Sequence, residues 1–194
     1  MNRETTHFNA DIYQSLFESG KQLLAERDMK SLLTAAVHTA AHISDAERAW
    51  ITLLKEPAQD IEFQAMVNLQ KSDIEAVPFE FSNMIIENVK TGGVPVMLPD
   101  FADPSFQETA KRLKPVRLLS VICIPLKHGN HSFGVLYLDR PQSTGRFTPE
   151  IFELVQEYAK FICTAVHGLK EQEQLINLIS NFKQSSGKGS STCY

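Results

Sequence analysis

The chain has 194 residues, 43% hydrophobic and 22% charged, with a formal net charge of −4 at pH 7. That length suits one domain with extended ends and a substantial core, and an acidic balance without a basic stripe argues against nucleic-acid binding. No apolar run approaches the roughly 20 residues of a membrane span, and Met1–Ala10 lacks the apolar segment of a secretion signal. The three cysteines, Cys123, Cys163 and Cys193, show no CxxC or His-paired spacing. A cytoplasmic protein with reduced thiols is the expectation.

Ile12, Tyr13, Leu16, Phe17, Leu23 and Leu24 recur at helical spacing and predict a first helix over Phe8–Arg27. A second, Met29–Ile43, follows Asp28 as its cap, with Leu32, Leu33, Ala36, Val37, Ala40 and Ile43 on the buried face. His38 and His42 lie one turn apart on it. They have no acidic or thiol partner nearby in sequence, so no metal site is expected. Ala49–Lys55 and Ile61–Asn68 predict two strands joined by a polar turn around Pro57–Asp60, the second alternating like a half-exposed outer strand.

Ser82 is placed to cap a helix through Lys90, which Gly92-Gly93 ends. Val94–Leu98 predicts a short strand, and Asp103-Pro104 opens a short helix. In Leu118–Arg140 two apolar runs, Ser120–Lys127 and Ser132–Asp139, flank the link His128-Gly129-Asn130-His131. This is an antiparallel hairpin, apolar enough on both faces to be the centre of a sheet.

Thr148-Pro149-Glu150 supplies a cap, a first-position proline and a first-turn acid. The helix it starts is predicted to reach Phe182, about 50 Å at 1.5 Å per residue. Ile151, Val155, Tyr158, Ile162, Ala165, Leu169, Gln172, Ile176 and Ile179 form a heptad seam along it. Its Leu175–Phe182 part outruns any core and needs a partner, most simply the same helix of a second subunit. Residues 1–27 thus read as an N-terminal helix, 28–169 as the main folded domain, 170–183 as a helix extension and 184–194 as a flexible polar tail.

The strings PVMLPDFADPSF (Pro95–Phe106), LLSVICIPLK (Leu118–Lys127), SFGVLYLDR (Ser132–Arg140) and GRFTPE (Gly145–Glu150), in this order, resemble the GAF domains of bacterial signalling proteins. The resemblance covers roughly Asp28 to Leu169. It is similar in type to the domains ahead of sigma-54-activator, histidine-kinase or cyclase output domains. It implies an α+β fold: a central antiparallel sheet of five to six strands, a helix layer on one face, and a roof of loops and short helices over a pocket on the other.

The resemblance also sets what to look for. GAF domains that bind cyclic nucleotides carry an Asn-Lys-Phe-Asp-Glu signature, whose places here read Asp139, Arg140, Phe147, Ile151 and Phe152. Only the phenylalanine survives, so Asp139-Arg140 read as a surface strand end, solvated or salt-bridged. Bilin-binding relatives attach the chromophore through a roof cysteine, and Leu69–Pro115 has none. Relatives that reduce methionine sulfoxide use roof-loop thiols. Cys123 and Cys163 sit in apolar runs and read as small buried hydrophobes.

No nucleophile elbow, phosphate loop or paired-carboxylate motif appears, so no enzyme is expected and no cofactor is required. Trp50, Thr52 and Leu54 share one strand face. Cys123 with Pro125, and Phe133 with Val135 and Tyr137, share hairpin faces. Phe81, Met97, Asp100, Phe101 and Phe106 are placed to close a roof, although Asp100 also suits a turn cap.

The expected ligand-binding set is Trp50, Thr52, Phe81, Met97, Asp100, Phe101, Phe106, Cys123 and Tyr137, suited to a small, largely apolar or planar effector. The expected dimerisation set is Ile12, Leu16, Leu23, Leu169, Ile176 and Ile179. Together they describe a non-enzymatic sensory domain that binds a small effector and forms a homodimer through its terminal helices to control an output domain, without touching nucleic acid or membrane. The alternatives are a cyclic-nucleotide-binding domain, a thiol redox enzyme acting through Cys123, and a ligand-free dimerisation module.

Overall fold

A computed structural model describes residues 3–55, 60–74, 80–98, 118–129, 131–141 and 146–187. The first helix, α1 (Arg3–Ala25), is followed by α2 (Met29–Ser44). Asp28 caps α2 as predicted, its carboxylate accepting from the Ser31 N–H at 2.9 Å. Asp45 closes the helix in the left-handed region at φ 52°.

Then come β1 (Arg48–Lys55), β2 (Asp60–Val67), α3 (Lys71–Ile74), α4 (Glu80–Gly92), β3 (Val96–Leu98), β4 (Leu118–His128), β5 (His131–Pro141) and α5 (Pro149–Gly187). The described strands form one antiparallel sheet in the order β2-β1-β5-β4-β3. The β4–β5 hairpin is indeed central and buried, and β2 is an edge. Gly129, at φ +58°, takes the left-handed conformation that its two-residue turn requires. The strands extend through His128 and His131, which face each other as a cross-strand pair, so the four-residue link shrinks to two.

One face of the sheet carries Ala49, Ile51, Leu53, Ile122, Ile124, Leu136 and Leu138. Against it pack α2, through Leu32, Leu33, Ala36, Val37 and Ala40, and α5, through Val155, Tyr158, Ile162 and Val166. Gly20 lets α1 lie close on α5: a Cβ there would stand 2.5 Å from the Phe161 ring. Leu16 and Leu23 of α1 and Leu169 of α5 therefore belong to the subunit's own core. Of the expected dimer seam, Ile176 and Ile179 are the described positions left open, at 62% and 46% exposure. The side chain of Ile12 lies outside the described residues.

Arg140 ties three segments together on this side. Its Nε donates to the Asp45 carbonyl at 2.8 Å, its Nη2 to the Ser44 carbonyl and its Nη1 to the Arg146 carbonyl at 3.3 Å. A cation is favoured at the C-terminal end of α2, where the helix dipole is negative. The guanidinium also stacks 4.8 Å from the Phe147 ring centroid.

Candidate functional site

The opposite face of the sheet is the candidate site. Period-two alternation puts Trp50 and Thr52 of β1, Val121 and Cys123 of β4, and Val135 and Tyr137 of β5 on it. Cys123 stands opposite Tyr137, and Trp50 opposite Tyr137 on the other flank. Above this floor α4 lays Ile85, Ile86 and Val89. Leu98 adds a wall from β3, with Met66 packed at the margin. The structure thus brings together Trp50, Thr52, Cys123 and Tyr137 of the expected ligand set.

One expected member of the ligand set, and one residue expected on the same hairpin face as Tyr137, go elsewhere. Met97 pairs with Ile122 and packs into the helix-face core, because the β3 register points Val96 and Leu98 at the roof instead. Phe133 does not share a face with Val135 and Tyr137. The β4–β5 pairing passes from Gly134 to Ser132 and leaves Phe133 as the extra residue of a β-bulge, turned into the helix-face core. Asp100, Phe101 and Phe106, with the short helix expected from Pro104, lie outside the described residues, as does the Phe81 side chain.

Ser82 is not the cap of α4. The helix starts at Glu80, and the buried Ser82 hydroxyl stands 2.7 Å from the Tyr137 hydroxyl. Tyr137 in turn donates to Asp139 Oδ2 at 2.9 Å, and Arg48 grips both Asp139 oxygens at 2.8 Å. Asp139 and Arg140 are therefore not a surface strand end, since both are buried with built partners on opposite faces of β5. Burial pushes the Asp139 carboxyl up from the usual aspartate range, against the downward pull of Arg48 and Tyr137. The Tyr137 phenol is pushed up by burial as well. This polar chain links α4 to the floor of the site and the end of β5. No local pattern signals it, because Arg48 and Asp139 lie 91 positions apart.

Thr52 is the odd polar group here. Its residue is 4% exposed, and its Oγ1 has no hydrogen-bond partner among the described residues. A buried hydroxyl without a partner costs about 1–3 kcal/mol, which a bound polar atom would offset.

Neither described cysteine suits thiolate chemistry. Cys123 is wholly buried and its thiol is pushed far up by loss of solvent, and burial pushes Cys163 up to about 11. His38 and His42 lie exposed on α2, and no group of three metal-ligating side chains occurs among the described residues. No described helix is long and apolar enough to cross a membrane.

The fold matches solved structures at low identity. The GAF domain of an Acinetobacter phosphoenolpyruvate-protein phosphotransferase aligns at 13% identity and TM-score 0.64, over 88% of this chain and 97% of that one. The GAF domain of a protein described as a sensor histidine kinase from Pseudomonas syringae pv. tomato aligns at 14% identity and TM-score 0.63, over 90% and 99%. The GAF domain of the Coxiella burnetii phosphoenolpyruvate-protein phosphotransferase aligns at 13% identity and TM-score 0.61, over 84% and 96%. At such identities the likeness establishes the fold. No curated protein sequence matches the chain. The GAF domain family itself matches residues 28–166, as the four sequence strings implied. The chain belongs to the GAF domain family, a family of sensory and regulatory signalling domains.

Proposed function

We propose that this GAF domain is a non-enzymatic sensor that binds a small, largely apolar or planar effector between the sheet and α4. The observation that carries this reading is the buried Thr52 hydroxyl, which has no partner among the described residues and is set on the same face as Trp50 and Tyr137. One hydrogen-bonding group on the effector would meet Thr52, and the rings would supply apolar walls. The Ser82–Tyr137 bond ties α4 to that floor, so an effector that displaces α4 changes the strain on β5 and, past Phe147, on the start of α5. Any such signal needs an effector with different affinity for two arrangements.

The second half of the proposal is a homodimer through α5. Leu175, Ile176, Leu178, Ile179 and Phe182 are all exposed large apolar residues on one helix beyond its last core contact. Pairing with the same segment of a second copy buries them and carries the movement of α5 to an output domain. Bacterial origin, cytoplasmic location and transcriptional or two-component output belong to this same reading.

A thermal-shift screen against nucleotides, amino acids and aromatic metabolites tests the sensor half. One ligand class should raise the melting temperature by several degrees, and Thr52→Val should lose that shift. A flat screen, or a shift that Thr52→Val keeps, removes the proposal. Sedimentation tests the dimer half: Ile176→Lys should turn a dimer into a monomer, and a wild-type monomer at high micromolar concentration would sink it.

A further inference from the structure

Asp139 and Arg140 are neighbours on β5, so their side chains leave the strand by opposite faces. On the roof face, Tyr137 commits its one proton to Asp139, so Ser82 of α4 donates to the Tyr137 oxygen at 2.7 Å. On the helix face, Arg140 donates to the last carbonyls of α2 and, from Nη1, to the Arg146 carbonyl at 3.3 Å. A second buried group makes the same crossing one strand away. Ser120 of β4 stands opposite Arg140, and its Oγ donates to the Leu98 carbonyl of β3 at 3.1 Å and accepts from the Phe147 N–H at 3.0 Å. Two polar routes, one from α4 and one from β3, thus end on Arg146 and Phe147, directly before the Thr148 cap of α5.

We propose that Arg146-Phe147 is a two-input junction, at which the seating of α4 and of β3 on the roof face sets how firmly the start of α5 is held. The junction rests on reading the roof face as the sensor site, and it is the route by which that site reaches α5.

Bond lengths decide which link gives way. Arg140 is tied to α2 by its 2.8 Å bond to the Asp45 carbonyl, by the Ser44 carbonyl and by the Asp45 carboxylate at 3.3 Å. Its bond to Arg146 is single and, at 3.3 Å, lies at the long end for an N–H···O contact. When α4 lifts, Tyr137 loses a donor and the end of β5 shifts, so the Arg146 bond breaks first while the guanidinium stays with α2. Seating of β3 acts on Phe147, because the Leu98 carbonyl fixes the rotamer in which Ser120 accepts from it. With both inputs made, Thr148 is placed to cap α5. Its hydroxyl accepts from the Ile151 N–H at 3.3 Å and its carbonyl from the Phe152 N–H at 3.0 Å. Lead-in held and lead-in released are the two arrangements between which an effector selects.

Amide hydrogen exchange of the effector-free protein tests the junction. Ser82→Ala and Tyr137→Phe alter the α4 end of one route, yet the Phe147, Ile151 and Phe152 amides should exchange roughly three- to tenfold faster, the scale of one lost hydrogen bond. Ser120→Ala should do the same from the β3 side. Residues 159–166, in the packed half of α5, should keep wild-type protection. Ile86→Val trims the apolar contact of α4 but leaves its hydroxyl in place, and should leave the α5 start unchanged. An unchanged α5 start in Ser82→Ala and Tyr137→Phe overturns the junction. The same loosening in Ile86→Val, or an equal rise along residues 159–166, also overturns it, since either marks general destabilisation. In an Arg140→Gln background Ser82→Ala should add nothing at the α5 start, and additive changes would count against the route. Because no effector is present, a failed ligand screen and a failed junction are separate results.

Discussion

Arg48 holds Asp139 through two bonds of 2.8 Å, Nε to Oδ1 and Nη2 to Oδ2, at the point where β1 and β5 pair. The carboxylate is fully buried and the guanidinium partly exposed. Because Tyr137 and Ser82 continue the chain of bonds into α4, this pair anchors the end of the candidate site rather than decorating its rim.

Removing the cation leaves a buried carboxylate facing only neutral partners in that chain. Arg48→Met should cost about 3–5 kcal/mol of folding stability, whereas the double change Arg48→Met/Asp139→Leu should recover much of it. Urea unfolding of the three proteins measures both. A single variant as stable as wild type would mean that the pair contributes nothing.

Thr52→Val exchanges a hydroxyl without a partner among the described residues for a methyl of similar shape. In the effector-free protein it should be neutral or stabilising by about 1 kcal/mol, because the desolvation cost of the hydroxyl disappears. A destabilisation beyond 1 kcal/mol in chemical unfolding would show that the hydroxyl is satisfied in solution.

Gly134 allows β5 to approach β1 closely. A Cβ there would collide with the Thr52 carbonyl oxygen, a backbone atom held in the sheet. Gly134→Ala should therefore cost on the order of 3 kcal/mol by overpacking. Gly92→Ala, where the added carbon meets nothing within 4 Å, is the matched control in the same thermal unfolding series.

Burial holds the proton on Cys163 up to about 11, above the ordinary thiol value of 9.0. Between those values the unfolded thiol has lost its proton and the folded one has kept it, so the folded state binds more protons. This stability contribution is complete below pH 9 and falls by about 1.4 kcal/mol per pH unit as pH rises toward 11. Cys123 and Tyr158, also pushed up by burial, act in the same direction. Urea midpoints at pH 8 and 10.5 should fall less for Cys163→Ala than for wild type. Equal falls would show that burial of this thiol is not the cause.

The sequence alone determined whatever is written in short-range spacing. The Asp28 cap and apolar face of α2, the paired runs of the central hairpin, and the Thr148-Pro149 start of α5 are local patterns, and each appears in the fold with shifts of a few residues at most. Three of the four family strings carried the architecture because they fall on the hairpin and the start of α5. Tertiary structure alone decided which face or partner a side chain meets. One bulge moves Phe133 across the sheet, and one register choice turns Met97 away from the roof. Leu16 and Leu23 match an intersubunit seam and an intramolecular core equally well in sequence, and close packing at Gly20 settles them inside. Asp139 read as a surface strand end, solvated or salt-bridged; the ion pair is there, but with Arg48, far away in sequence, and inside the fold. Periodicity records how often a residue turns inward, whereas long-range pairing determines what it then meets.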